Sequence, residues 1–268
     1  MPPRWSTPLE FKAARADMLQ PRHTEDEVVE AGIDEAGRGC LWGPLVAAAV
    51  VWPAGAPATW PQEVQVLATQ VRDSKKLSAK KRAALETGIK AAAVAWGLGV
   101  VTPEEIDARG MTWANRAAFE RAAAACSAVK PERLVIDGIL GLEPATLAAL
   151  GVKQQVVEAA GDGTYLAVAA ASILAKEGRD RMVAEAVAAD PELQSVYGIL
   201  NSKGYGTAKH RDAIKARGML PGHRRLFLRK LLGLDHTVSE GGFKGGGSGG
   251  ASYRNRPVYD FLEDEDAV

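Results

Sequence analysis

Apolar positions along this chain fall into two textures. Short Val-rich runs alternate with longer Ala-rich segments, and each texture predicts a different element. Val28–Asp34 ("VVEAGID") and Leu45–Trp52 ("LVAAAVVW") are compact apolar runs split by a glycine turn, so they read as a pair of strands. Pro53–Gln62 ("PAGAPATWPQ") reads as a loop, and Ser78–Ala92 has helical spacing with Ser78 as its N-cap. Ala93–Val101 reads as a strand, Met111–Val129 as a long helix stopping before Pro131, and Arg133–Gly138 and Lys153–Ala159 as two short strands. Tyr165–Ala189 is a second long Ala-rich helix. Interleaved strands and helices argue for an α/β fold whose sheet is covered by helices.

The ends of the chain differ from this middle. Residues 1–27 are polar and Pro-containing, with a short helix expected over Leu9–Leu19, and read as an N-terminal extension. Residues 28–197 form the expected main domain. From residue 198 the texture becomes basic: a loop around Lys203–Thr207 ("KGYGT") leads into a helix that Pro221–Leu234 continues, and residues 198–236 read as a small helical C-terminal subdomain. Residues 237–268 contain the glycine-rich run "GGFKGGGSGG" and the acidic ending "YDFLEDEDAV", which read as a flexible linker and a solvated tail.

Bulk composition narrows the class only a little. The chain has 268 residues, 47% of them apolar, which is enough for a substantial core. The formal net charge is zero; setting aside residues 240–268, with three basic and six acidic side chains, leaves 30 basic and 27 acidic, a net +3. Global charge therefore decides nothing about a nucleic-acid partner, and local patches must. The two cysteines, Cys40 and Cys126, form no CxxC and suggest neither disulfide nor zinc. No run approaches a membrane span and no basic-then-apolar leader opens the chain; with the cysteine usage this leads to an expected reducing, cytoplasmic setting, and the chain is separately expected to be a monomer.

Candidate chemistry lies with the acids. No GxSxG, P-loop or strand-linked GxGxxG is present, and the four histidines lack metal-ligand spacing. Asp34 and Glu35 are adjacent in an apolar run just before a glycine turn, Asp137 closes "LVID", and Asp162 sits in "AGDG" between a strand and a helix. Any one Asp before Gly is adequately explained as a turn residue. Two adjacent acids in apolar surroundings are costly unless a cation compensates them. Acids from separate strand ends suit a hard cation with oxygen ligands, Mg²⁺ or Mn²⁺, and two such ions are the usual apparatus for cutting a phosphodiester. Basic residues in "RDSKKLSAKKR" (Lys75, Lys76, Lys80, Lys81, Arg82) supply either a solvated helix start or phosphate contacts. Tyr205, between glycines, is either packed in a turn or exposed for stacking on a sugar or base.

The set "GIDEAGRG", "DSKKLS", "VIDG", "GDG…AAASILAK…RD", "KGYGT" and "HRRLF", in this order, resembles the prokaryotic type 2 ribonuclease H (ribonuclease HII) family over roughly Val28–Leu234. The resemblance implies an RNase H-like mixed sheet flanked by helices. It implies metal-dependent cleavage of RNA in RNA–DNA hybrids and at single ribonucleotides embedded in duplex DNA. Asp34, Glu35, Asp137 and Asp162 match the family's metal-holding acids. Gly37, Arg38 and Gly39 match the element that reads the 2′-hydroxyl through backbone, Tyr205 the tyrosine beside the cut sugar, and Ser74, Lys75 and Lys76 positions that hold the strand. Cys40, Ala160, Ala167 and Ser202 depart from the residues usual there (Pro, Lys, Glu and His). A DNA-only nuclease of related fold and a non-catalytic nucleic-acid-binding protein are the competing readings. Retention of all four acids argues against the second, and the glycine–arginine–glycine element with Tyr205 against the first.

Overall fold

The protein is described here from a computed structural model covering residues 18–126 and 128–233. The helix expected over Leu9–Leu19 and the linker and tail fall almost wholly outside those residues.

Five strands form one mixed sheet in the order β3-β2-β1-β4-β5: β1 Glu30–Ala36, β2 Leu45–Val51, β3 Ala95–Val101, β4 Arg133–Asp137 and β5 Gln154–Glu158. β1 pairs antiparallel with β2 and parallel with β4, while β2–β3 is antiparallel and β4–β5 parallel. β1 is therefore central, with a long helix over each face. Helices α1 (Gln62–Ala68), α2 (Ala79–Ala92), α3 (Pro103–Arg109), α4 (Met111–Ala125), α5 (Pro144–Leu150) and α6 (Leu166–Ala189) follow in chain order. The short α7 (Glu192–Ser195) and α8 (Ile199–Ser202) then lead to α9 (Ala208–Arg217) and α10 (Arg225–Leu232).

Small residues decide how closely helices approach the sheet. A Cβ at Gly97 or Gly99 of β3 would strike backbone atoms of α4, and one at Gly32 of β1 would strike the backbone at Ala167 of α6. The Ala-rich texture of both helices thus answers glycines on the sheet. Strand alternation splits β1 between two cores. Ala31 and Ile33 pack with Phe119 and Ala122 on the α4 side, while Ala48 and Val50 of β2 pack with Leu85, Ile89, Ile173 and Leu174 on the α6 side. Truncating a fully buried Ile33 or Ile173 to Ala would cost about 2–5 kcal/mol.

α6 has 24 residues and so runs about 36 Å. Its first half covers the sheet, and its last turns carry Val183 and Ala186 into a third apolar cluster with Trp42, Leu193, Tyr197, Ile214 and Leu228. The C-terminal helices therefore pack on the same rod that backs the site.

Several expected elements differ in detail. The loop over Pro53–Gln62 gives way to a 3-10 turn at Pro57–Thr59 and then to α1. α4 ends at Ala125 because Cys126 leaves helical geometry (φ −72°, ψ 59°) with its thiol turned under the sheet to Ala49 O at 3.7 Å. α10 does not continue α9: Gly218 at φ +84° and the turn at Pro221–Gly222 separate them. α3 and α5 were not anticipated. Residues 18–27, read as extension, include Gln20, which pairs with Thr164 and Leu166, and Asp26, which pairs with Arg133 at 2.5 Å.

Candidate active site

Parallel pairing sets Ile33 beside Ile136, so the next residues of β1 and β4, Asp34 and Asp137, emerge together at one edge of the sheet. β5 then leads into a 3-10 turn at Gly161–Gly163 that brings Asp162 to the same edge. Carboxylate oxygens of Asp34, Asp137 and Asp162 all lie within 4.8 Å of one another. Glu35 is not in that group. β1 runs on through Ala36, so alternation turns Asp34 toward α6 and Glu35 toward α4. Accordingly Ser172 of α6 stabilises ionised Asp34, and Asn115 of α4 stabilises ionised Glu35. The Glu35 carboxylate lies 3.9 Å from Arg38 Nη1.

Hydrogen bonds fix the acids without neutralising them. Glu35 N–H donates to Asp34 Oδ1 at 2.6 Å and Gly161 N–H to Asp137 Oδ1 at 2.7 Å. Burial, with the Glu35 charge behind it, pushes Asp34 up to about 8. Burial also raises Glu35 and Asp162, the latter helped by the Asp137 charge. Asp162 Oδ2 is buried without a hydrogen-bond partner among the described residues. Lys75 Nζ stands 3.6 Å from it, too far for a hydrogen bond. Desolvation pulls Lys75 down, but Asp162, Asp34, Asp73 and Asp137 outweigh it and raise its pKa. Three converging carboxylates, one with an orphaned buried oxygen, fit a hard divalent cation held by oxygen ligands.

The DSKKL segment is a 3-10 turn, Ser74–Lys76, capped by Asp73, whose Oδ1 accepts from Lys75 N–H at 2.8 Å. Ser74 faces inward, its hydroxyl 2.9 Å from that of Ser172. Ser172 in turn favours ionised Asp34, so this hydroxyl pair links the turn to the acid. Lys75 and Lys76 are exposed, with Lys76 Nζ 3.9 Å from Asp73. Arg82, counted with the basic stretch, is instead structural. Its Nε donates to Glu177 at 2.6 Å and its Nη1 to Leu77 O at 2.9 Å and Ser74 O at 3.3 Å, pinning the turn to α6.

Beside the acids three loops meet: residues 37–44, 203–206 and 220–224. Gly37 has φ +92°, and a Cβ there would overlap Arg179; at Gly39 a Cβ would meet nothing within 4 Å. Of these two glycines, Gly37 is thus the one required by the protein itself. Tyr205 is 45% exposed between Gly204 and Gly206. Arg179, fully buried on α6, donates to Pro44 O, Lys203 O and Trp42 O at 2.8–3.0 Å, tying the first two loops together. Two buried histidines hold the turn of Tyr205. His210 Nδ1 lies 3.0 Å from Tyr205 O, His210 Nε2 3.0 Å from His223 Nε2, and Leu220 N–H 3.0 Å from His223 Nδ1. His223 Nδ1 also lies 3.0 Å from Leu220 O, so both the N–H and the C=O of Leu220 meet this ring nitrogen. A neutral pair in which His223 Nε2–H donates to His210 and His210 Nδ1–H to Tyr205 O satisfies the His–His and Tyr205 contacts. Burial lowers both pKa values, that of His223 to about 4. Sequence reasoning gave no role to Arg179, Arg224, Ser172, Asn115 or this histidine pair. The available signal was an arginine or serine on the buried side of an otherwise apolar helix, and motif residues in "RD" and "HRRLF" left without a task. At the departing positions, Ala160 takes a left-handed φ of 61° and Ser202 Oγ accepts from Gly204 N–H at 3.3 Å.

A mixed sheet that gathers three carboxylates at the ends of β1 and β4 and the turn after β5 defines a metal-dependent nuclease of the RNase H-like class. The family profile described as Ribonuclease HII matches residues 31–230. The chain is 42% identical over 228 residues to a ribonuclease HII of Oleidesulfovibrio alaskensis, covering 80% of this chain and 84% of the relative. It is 41% identical to one from Parabacteroides distasonis, covering 78% and 94%. The crystal structure of ribonuclease H2 from Pyrococcus horikoshii superposes with TM-score 0.57 at 29% identity, covering 76% of this chain and 97% of that one. The chain belongs to the ribonuclease HII family. It is a metal-dependent endoribonuclease that cleaves RNA in RNA–DNA hybrids and at single ribonucleotides in duplex DNA, with Mg²⁺ or Mn²⁺ as cofactor. No described helix is long and apolar enough to cross a membrane.

Proposed function

We propose that Asp34, Asp137 and Asp162 hold the divalent ions of this ribonuclease, with Glu35 completing the acidic set from the other face of β1. The observation that carries this reading is the convergence of the three carboxylates within 4.8 Å, with Asp162 Oδ2 left without a hydrogen bond. When bound, the ions supply charge stabilisation at the scissile phosphate and ease deprotonation of the attacking water. The remaining work belongs to the protein. Gly37, Arg38 and Gly39 meet the ribose through backbone, which the exposed backbone of Arg38 and Gly39 and the open space beyond Gly39 permit. Tyr205 presses its ring on the adjacent sugar and fixes the phosphate relative to the acids. Lys75 and Lys76 contact the strand's phosphates. Ser74 positions the turn that carries them, through its hydroxyl bond to Ser172.

In this reading residues 28–197 form the catalytic domain and residues 198–236 a helical subdomain, flanked by an extension over 1–27 and a linker and tail over 237–268. The protein works as a cytoplasmic monomer. The test is a set of three labelled duplexes with Mg²⁺ or Mn²⁺: an RNA–DNA hybrid, a DNA duplex with one ribonucleotide, and an all-DNA duplex. Cleavage of the first two and not the third is expected. Cutting of the all-DNA duplex would favour a DNA nuclease, and no cutting a binding protein.

A further inference from the structure

The carbonyls of Gly37 and Arg38 are already engaged inside the protein. Fully buried Arg224 donates through Nη1 to Gly37 O at 2.8 Å and Arg38 O at 3.1 Å, and through Nε to Gly43 O at 2.9 Å. Cys40 N–H also donates to Gly37 O at 3.2 Å. Arg224 is itself anchored: its N–H donates to Leu41 O at 2.8 Å, and neighbouring His223 bridges to Trp42.

Peptide geometry turns this into a statement about the other side of the chain. Each peptide unit is planar, and the described backbone contains no cis bond, so C=O and N–H point in opposite directions. Holding Gly37 O inward sends Arg38 N–H outward; holding Arg38 O inward sends Gly39 N–H outward. No described residue accepts a hydrogen bond from either N–H. Both residues are exposed, and the space beyond Gly39 is open. Two consecutive outward N–H groups make a small concavity of paired donors.

We propose that Arg224 is a specificity-positioning residue: by holding two carbonyls inward it aims the N–H groups of Arg38 and Gly39 at the ribose 2′-oxygen. This rests on the reading that the Gly37–Gly39 turn meets the ribose. The turn then acts as a donor pair toward that oxygen, and a 2′-deoxy sugar leaves both donors unmet in a desolvated contact, which is how a polar site rejects an analogue lacking its partner. A lysine at 224 cannot reproduce the arrangement, because one compact ammonium cannot reach three carbonyls that a planar fork spans.

The experiment compares ribose preference in binding. In an Asp137→Asn background, where bound duplex stays uncut, affinity is measured for a duplex with one ribonucleotide and for its all-DNA twin. Arg224→Lys is expected to cut the ratio of the two affinities about tenfold while leaving the all-DNA affinity within about twofold. A purely structural role would weaken both duplexes together and leave the ratio unmoved, and that result, like an unchanged ratio in a folded variant, overturns the proposal. If Arg224→Lys does not fold, the Arg38–Gly39 amide is replaced by an ester, which deletes the Gly39 N–H and leaves Arg224 intact. Loss of ribose preference supports the donor pair, and full preference overturns it. Gly39→Ala separates the two layers of the argument. If it leaves ribonucleotide cleavage at the normal rate, the reading of the turn fails and Arg224 falls with it. If it impairs cleavage while Arg224→Lys keeps the ratio, only the role of Arg224 fails.

Discussion

The acid cluster and the loop junction beside it handle buried polarity in opposite ways. At the cluster, carboxylates converge with too few donors: Asp34 is pushed up to about 8 by burial and Glu35, and Asp162 Oδ2 has no hydrogen bond among the described residues. At the junction, two buried guanidiniums are met by backbone carbonyls, Arg179 by three and Arg224 by those of Gly37, Arg38 and Gly43. The cluster remains electrostatically incomplete, which suits a site that takes up a cation. The junction's arginines find their carbonyl partners without ligand, which suits a rigid template for a sugar. Neighbouring regions of one site thus divide the labour between charge and shape.

The sharpest way to break this contrast is to remove charge from one side only. Asp34→Asn or Asp137→Asn is expected to lower single-turnover cleavage by about a hundredfold or more. The metal-free fold should hold, because an isosteric amide replaces one member of a crowded group of carboxyls. Near-normal turnover by either variant would refute the metal assignment. Shape is tested next, by Gly37→Ala against Gly39→Ala. The first meets both φ +92° and the Arg179 side chain, so a loss of about 3 kcal/mol in unfolding free energy is expected. The second should unfold like the wild type. Equal melting curves for the two would show that the junction is not rigid.

The incompleteness of the cluster has a pH signature. Asp34, raised to about 8 from 3.8 in the folded, metal-free state, contributes stability in its protonated form that is lost as pH rises through about 8. Stabilisation by Mg²⁺ should therefore grow with pH, reaching about 3 kcal/mol when the ion exceeds its Kd a hundredfold. Thermal midpoints with Mg²⁺ and with chelator at pH 5.5 and pH 8 measure it, and an equal gain at both would contradict it. The histidine pair carries the opposite sign. His223 falls from 6.5 to about 4 on folding, so its contribution is present above 6.5 and lost as pH drops through about 4. The stability advantage of wild type over a His210→Gln, His223→Gln variant should narrow across that interval, and a constant difference would argue for charged histidines. The smallest effect belongs to the exposed lysines. Lys75→Ala with Lys76→Ala should reduce the salt dependence of duplex binding by about one unit or slightly less per lost phosphate contact. An unchanged slope would mean that neither touches the backbone.

Much of the frame was legible along the chain because period and texture are local. The Val-rich runs became β1 and β2, the Ser78 cap is in place with its hydroxyl accepting from Lys81 N–H at 3.3 Å, and the two Ala-rich segments are the long helices. α3 has a readable start, Thr102–Pro103–Glu104–Glu105, a capping box with Pro at the first turn, but at seven residues it is too short to show a helical period. Asp34, Asp137 and Asp162 were singled out because an acid closing an apolar run is conspicuous in one dimension. That their oxygens meet within 4.8 Å depends on the parallel register of β1 with β4 and on the turn after β5, contacts between residues about a hundred positions apart. Only tertiary structure could turn Glu35 to the far face, draw Ser74 inward to Ser172, and set Arg82 on α6 rather than on a substrate. The same holds for Arg224, 187 residues from the carbonyl of Gly37 that it holds. Sequence alone determines which segments can be strand, helix or turn, since those preferences are written in neighbouring residues. Which polar groups end up buried together, and what each then needs, is decided by the packing that brings distant segments into one low-dielectric volume.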